Sequence, residues 1–244
     1  MTIRSVRSAM AFLTVLPAAS AKGEPGERLG RAYFPAIGAL TGLASGVVFV
    51  VAGALFSPWL AAVAAVATMA VLTGALHLDG LADAADGLLG GGDTARRLEV
   101  MRDPRLGSFG TTTIVLVLLG EVTAISSMSP ARGLAGLAIA GALSRLAMLA
   151  VIALVPYVRP TGLGVAAFDP AHRGFDLALG GAIAAIVCVI DWRRALVALP
   201  LVALTTYLVV ALARRRLGGA TGDICGATAE LSLLATLVVF AARP

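Results

Sequence analysis

The 244 residues are 59% hydrophobic and 14% charged, with a mean hydropathy of +0.93 and 28 glycines. That balance excludes a disordered chain, a disulfide scaffold and an ordinary cytosolic enzyme, and it leaves a polytopic all-α membrane protein as the expected fold class. The net charge of +5 comes from 19 basic against 14 acidic residues; the basic ones, nearly all Arg, lie between apolar runs rather than among aromatics, which argues against a nucleic-acid partner and for a lipid bilayer.

In chain order, Arg4 and Arg7, the apolar stretch Ala9 to Leu16 and the small residues Ala19-Ser20-Ala21 imitate a secretory signal peptide. Cleavage would invert every later loop and place most arginines outside, so an interfacial or re-entrant helix ending near Pro17 is expected within an N-terminal segment 1–35. Seven candidate spans follow: Ala36 to Phe56, Trp59 to Leu76, Thr111 to Met128, Gly133 to Val155, Leu177 to Ile190, Leu196 to Leu212 and Ala227 to Ala242. The fifth is short for a hydrocarbon core about 30 Å thick at about 1.5 Å per residue. Ser57-Pro58 and Ser129-Pro130-Ala131-Arg132 read as tight turns between antiparallel helices. With the N-terminus in the cytosol, only Arg132, Arg193, Arg194 and Arg243 fall outside and Arg145 lies within the fourth span, so the excess of positive charge fixes the orientation. Cys188 and Cys225 read as small buried residues without a disulfide.

Two long polar connections carry the chemistry, and residues 77–110 form the first. Asp79, Asp83 and Asp86 stand at i, i+4 and i+7, within about 60° of one another on a helix. Three carboxylates on one stripe repel unless a cation compensates, and oxygen-only donors suit a hard ion such as Mg²⁺ or Mn²⁺ that also binds phosphate. A solvated acidic face capping a span is the alternative. His77, just before the cluster, is either an interfacial hydrogen-bonding residue or a base or metal ligand. Downstream, Arg102 and Arg105 beside Gly107 and Gly110 form a candidate anion clamp, or else anchor the next span to anionic lipid. In the C-terminal segment, Asp223 and Glu230 at i and i+7 share one helix face, expected to meet the first cluster. Glu121 and Arg145 sit at similar depth in the third and fourth spans and are expected to pair, because an isolated charge there costs several kcal/mol.

The segments His77-Leu78-Asp79-Gly80-Leu81-Ala82-Asp83-Ala84-Ala85-Asp86-Gly87, Met101-Arg102-Asp103-Pro104-Arg105-Leu106-Gly107-Ser108-Phe109-Gly110 and Thr221-Gly222-Asp223-Ile224-Cys225-Gly226-Ala227-Thr228-Ala229-Glu230 resemble the cobalamin synthase (adenosylcobinamide-GDP ribazoletransferase) family. Phe34-Pro35-Ala36-Ile37-Gly38 and Arg159-Pro160-Thr161-Gly162-Leu163-Gly164 are weaker echoes. The resemblance covers nearly the whole chain and implies one membrane-embedded catalytic domain, 1–244, in a bacterial cytoplasmic (inner) membrane with its N-terminus and active site cytosolic. It implies that adenosylcobinamide-GDP and α-ribazole, or its 5'-phosphate, become adenosylcobalamin, or its 5'-phosphate, with release of GMP. The implied cofactor is Mg²⁺, with Mn²⁺ as a substitute, and a homo-oligomer is compatible with it. Carried onto this chain, it implies Asp79, Asp83, Asp86 and Asp223 as metal ligands, and His77 or one of the three aspartates of the first cluster as base. Arg102, Asp103, Arg105, Gly107, Arg159, Asp223 and Glu230 would bind substrate.

Two other readings compete. A CDP-alcohol phosphotransferase-like enzyme also sets aspartates at helical spacing beside glycine, but its pattern needs Ala-Arg after Asp-Gly-x-x, and here Leu81-Ala82 leads into Asp83. A small membrane transporter would concentrate ionisable groups at the midplane, whereas here the acidic groups gather toward one face.

Overall fold

The computed structural model describes residues 3–17, 29–159 and 164–242. They form α1 (Ile3–Leu13), α2 (Phe34–Gly53), α3 (Pro58–Thr73), α4 (Leu76–Leu89), α5 (Thr94–Val100), α6 (Ser108–Ser126), α7 (Pro130–Leu154), the single turn α8 (Gly164–Ala167), α9 (Arg173–Cys188), α10 (Trp192–Leu217) and α11 (Gly222–Ala241). Among the described residues there is no β-strand; one parallel bridge joins Tyr157 to Ala220. The Ala19-Ser20-Ala21 site lies outside the described residues, as do Lys22, Arg28 and Arg243.

The bundle is organised around α7, which is 83% buried over its apolar window, against 22–39% for α2, α6 and the α9–α10 run. Small residues allow this. Gly38, Gly42 and Gly46 of α2 recur every four residues and lie against Gly141, Leu137 and Leu134 of α7, close enough that a methyl on Gly38 would strike the Gly141 carbonyl. Backbone-to-backbone approach of this kind replaces the hydrophobic driving force that lipid does not supply. The pairing runs antiparallel, so the start of α2 and the end of α7 share one face. The starts of α6 and α11 lie on that same face, joined through α4 by Asp86 to Gly107 and by Gly80 to Gly226. It is called the acidic face below.

Five helical stretches are long and apolar enough to cross a membrane among the described residues, or six if the bent pair α3–α4 is one span. The expected count of seven is not reached by that measure. α9 and α10 make a single apolar run, Arg173–Leu217, of 45 residues, and α3 alone has only 16. The long run doubles back at Val189–Asp191: Asp176 near its start pairs with Arg31 beside α2, and Arg214 near its end donates to the Leu154 carbonyl of α7.

Local chemistry sets the boundaries. Ser57, Ser129 and Thr221 each accept from a backbone N–H in the first turn of α3, α7 and α11, and Pro58 and Pro130 begin two of those helices. α3 ends on two left-handed residues, Gly74 (φ 60°) and Ala75 (φ 55°), after which α4 departs at 90°. α4 therefore lies across the acidic face instead of continuing through the bundle. Its C-terminal carbonyls are satisfied by Arg97, whose guanidinium donates to Gly87, Leu88, Gly90 and Gly92. At 11 residues α1 is too short to span, and it packs over the start of α2 by burying Ala9 and Leu13 and stacking Phe12 on Phe34 at 5.6 Å.

Candidate active site

α4 and α11 cross where Gly80 meets Gly226. A Cβ on either glycine would lie 3.1 Å from backbone of the other helix, so glycine lets the two approach this closely without displacing it. The crossing carries Asp223 alongside the α4 carboxylates, so of the two acidic residues of α11 expected to meet the first cluster Asp223 does so. The stretch between α7 and α11 is aligned with them by the Tyr157–Ala220 bridge, with Val158 N–H donating to Ala220 O at 3.0 Å and Ala220 N–H to Pro156 O at 2.8 Å. That alignment puts Arg159 against Asp223, Nη2 to Oδ2 at 2.7 Å.

Beside this junction is a cavity of about 530 Å³ between α1, α4, α7 and the start of α11. Its polar lining is His77, Asp79, Arg102, Arg159 and Asp223, and its apolar lining includes Phe12, Met148, Ile152, Tyr157 and Phe168. The Tyr157 and Phe168 rings pack with centroids 4.6 Å apart. Phe168 is held because Arg31, itself buried, donates to the carbonyls of Ala167, Asp169 and Ala171 and pairs with Asp176 at 2.7 Å.

The three aspartates of α4 do different things. Asp79 is exposed and lines the cavity. Asp83 is half-buried, and its carboxyl is pushed up to about 7, first by burial and then by the negative charges of Asp223 and Asp79, with Arg159 opposing. Asp86 turns away to cap α6: its two oxygens accept from Gly107 N–H at 2.8 Å and Gly110 N–H at 2.9 Å. Gly107, the cap residue of α6, has no side chain with which to do this itself.

Other expected site residues are scattered. Arg105 is exposed and pairs bidentately with Asp103, Nε to Oδ1 at 2.9 Å and Nη2 to Oδ2 at 2.7 Å, which lowers the Asp103 carboxyl to about 2. Of the expected clamp, Arg102 lines the cavity and Arg105 does not. Glu230 is also outside the cavity wall: two turns along α11 it is buried, at hydrogen-bonding distance from the Glu121 carboxyl of α6. The expected direct pairing of Glu121 with Arg145 is not formed. Arg145 is within Coulombic reach of both carboxyls, but its guanidinium is spent on Ser144 Oγ at 2.8 Å and His77 Nδ1 at 3.1 Å, because the α4 crossing brings His77 over it.

Among the described residues no three His, Cys, Asp or Glu side chains are gathered closely enough to form a ready-made metal cage. The donors nevertheless suit a hard divalent ion. Asp79, Asp83 and Asp223 offer only oxygen, their mutual repulsion shows in Asp83, and an ion of the Mg²⁺ type uses one or two carboxylates and completes its shell with water and substrate phosphate. Sequence reasoning missed the apolar wall, since Phe12, Tyr157 and Phe168 come from three separate segments and no periodicity links them.

No solved structure matches this chain. The family model described as cobalamin-5-phosphate synthase matches residues 5–241. The adenosylcobinamide-GDP ribazoletransferase of Bradyrhizobium diazoefficiens is 38% identical over 249 residues, covering 99% of this chain and 96% of the relative. The protein of the same name from Stutzerimonas stutzeri is 41% identical over 239 residues, covering 94% of each, and that of Azorhizobium caulinodans is 40% identical over 220 residues, covering 86% and 83%. With agreement running from α1 to the end of α11 at this level, the chain belongs to the cobalamin-5-phosphate synthase family.

Proposed function

We propose that the protein transfers the adenosylcobinamide-phosphate group of adenosylcobinamide-GDP to α-ribazole, or to its 5'-phosphate, forming adenosylcobalamin, or its 5'-phosphate, and GMP. The observation that carries this reading is the Gly80–Gly226 crossing, which sets aspartates from two helices beside an arginine at the edge of a mostly apolar cavity. An apolar wall suits the aromatic base of the acceptor, and the charged wall suits a pyrophosphate.

A ribose hydroxyl oxygen attacks the phosphorus that bears the cobinamide ester. A new P–O bond forms, the P–O bond to the GMP phosphate breaks with its electron pair leaving on GMP, and the hydroxyl proton passes to a carboxylate of the acidic wall. Arg102 and Arg159 hold phosphate oxygens. Mg²⁺, which Asp79, Asp83 and Asp223 would hold, supplies neutralisation of phosphate charge when bound. Asp86 supports the site by fixing α6 to α4. The excess of arginine toward the acidic face supports an orientation with that face in the cytosol of a bacterial inner membrane.

The test is GMP release by detergent-purified protein given adenosylcobinamide-GDP and α-ribazole, with Mg²⁺ and again with excess EDTA. Metal-dependent GMP formation matched one to one by cobalamin is expected. No GMP from a folded, monodisperse sample would overturn the reading.

A further inference from the structure

Resting on the transferase reading, we infer that Arg145 is a positioning residue that fixes the proton of His77 on Nε2, so that His77 serves the reaction as a hydrogen-bond donor to a phosphoryl oxygen of the substrate and not as its base.

The argument begins with a donor that has nowhere to donate. His77 sits in the first turn of α4, is 1% exposed and forms part of the cavity wall. Its Nδ1 lies 3.1 Å from Arg145 Nη2. Guanidinium has five N–H donors and no acceptor, so Nδ1 must contribute its lone pair and the ring proton resides on Nε2. Nε2 is buried and has no hydrogen-bond partner among the described residues. A buried polar group without a partner is costly in a folded protein, and at a cavity wall a ligand oxygen can complete it. The ring has no lone pair left with which to accept a hydroxyl proton.

Arg145 is held so that it cannot release the ring. It lies on the most buried helix, with Nη1 donating to Ser144 Oγ at 2.8 Å. Its stem lies 3.1 Å from where a Cβ on Gly38 would stand, so glycine at 38 leaves the room the stem needs. The carboxyls of Glu121 and Glu230 attract its charge from α6 and α11. Four helices therefore converge on the orientation of one imidazole, which gives Glu230 a role through Arg145 in place of direct contact with substrate.

The chain has two histidines, and His172 is exposed, so histidine-selective ¹⁵N NMR in detergent reads His77 directly against an internal reference. The expected spectrum of the wild-type protein shows His77 with Nδ1 unprotonated and Nε2 protonated, and in Arg145→Lys, which retains a donor, the same tautomer persists. A ring proton on Nδ1 in the wild-type protein would overturn the inference whether or not any GMP is released, so this arm fails separately from the transferase reading. The kinetic arm compares two replacements of His77. Gln keeps an N–H donor and is expected to hold kcat within about tenfold, whereas Phe, lacking any donor, lowers it about 100-fold at nearly unchanged KM. A Gln variant as inactive as the Phe variant would restore the base assignment and sink the donor role.

Discussion

Asp86 of α4 caps a helix that is not its own: its carboxylate bridges the N–H groups of Gly107 and Gly110 at 2.8 and 2.9 Å, closing the open end of α6. The negative charge also faces the positive end of the α6 dipole. Asp86→Ala is therefore expected to lower stability by about 1–3 kcal/mol, and Asp86→Asn by roughly 1 kcal/mol, since the amide keeps one acceptor and loses the charge. Thermal unfolding in detergent measures both. Asp79→Asn on the same helix is exposed and should unfold like the wild type while abolishing GMP release; an Asp79→Asn protein with near-normal turnover would remove Asp79 from the site.

The crossing of α4 and α11 is tight against any side chain. Gly226→Val has to push Gly80 and the His77 carbonyl away, both about 3.1 Å from its new Cβ, and so separates Asp223 from the α4 carboxylates. Initial rates are expected to fall at least roughly tenfold, because a shift of about 1 Å in a positioned group carries a penalty of that order or more. Gly181→Ala on α9, with nothing within 4 Å of the added methyl, is the control and should keep its rate.

Arg97 is the C-terminal cap of α4. Arg97→Met leaves the carbonyls of Gly87, Leu88 and Gly90 without their donor and should cost about 3 kcal/mol. Arg97→Lys should recover part of this, since an ammonium has three donors but cannot reproduce the planar fork. Denaturant unfolding of the two variants beside the wild type would show the order.

Asp83 makes stability depend on pH. Its carboxyl titrates near 7 in the fold against an ordinary value of 3.8, so between those values the unfolded chain is ionised while the folded chain still holds the proton. Folding is favoured by this group at low pH, loses that support as pH rises from about 4 to about 7, and carries a constant penalty above. Asp83→Asn should therefore unfold at a higher temperature than the wild type at pH 8.5, with the gap closing toward pH 4.5. Added Mg²⁺ should narrow the pH 8.5 gap by stabilising the wild type alone, and a pH-independent gap would contradict the assignment of the shift to Asp83.

Much of this was legible in the residues alone. The apolar segments expected from Ala36 to Ala242 each correspond to a helix, because the hydropathy that drives burial in lipid is a local property of 15–25 residues. The i, i+4, i+7 spacing placed Asp79, Asp83 and Asp86 together on α4, whereas the contact of Gly80 with Gly226 emerges only in the fold. Asp86 as the cap of α6 was hidden, since the two amides it serves lie more than twenty residues away and glycine carries no signal of its partner.

Helical periodicity determined which side chains share a face, and composition determined that the chain lives in a bilayer with its acidic motifs gathered toward one face. What that face meets was decided only by tertiary structure. Asp223 and Glu230 share a face of α11, yet one reaches the cavity and the other the buried Glu121 carboxyl, because α4 crosses α11 near its start and α6 and α7 enclose it farther along. A helix fixes angles around its own axis; the depth and partner of each side chain follow from where neighbouring backbones can approach, and that is set by contacts between residues far apart in the chain.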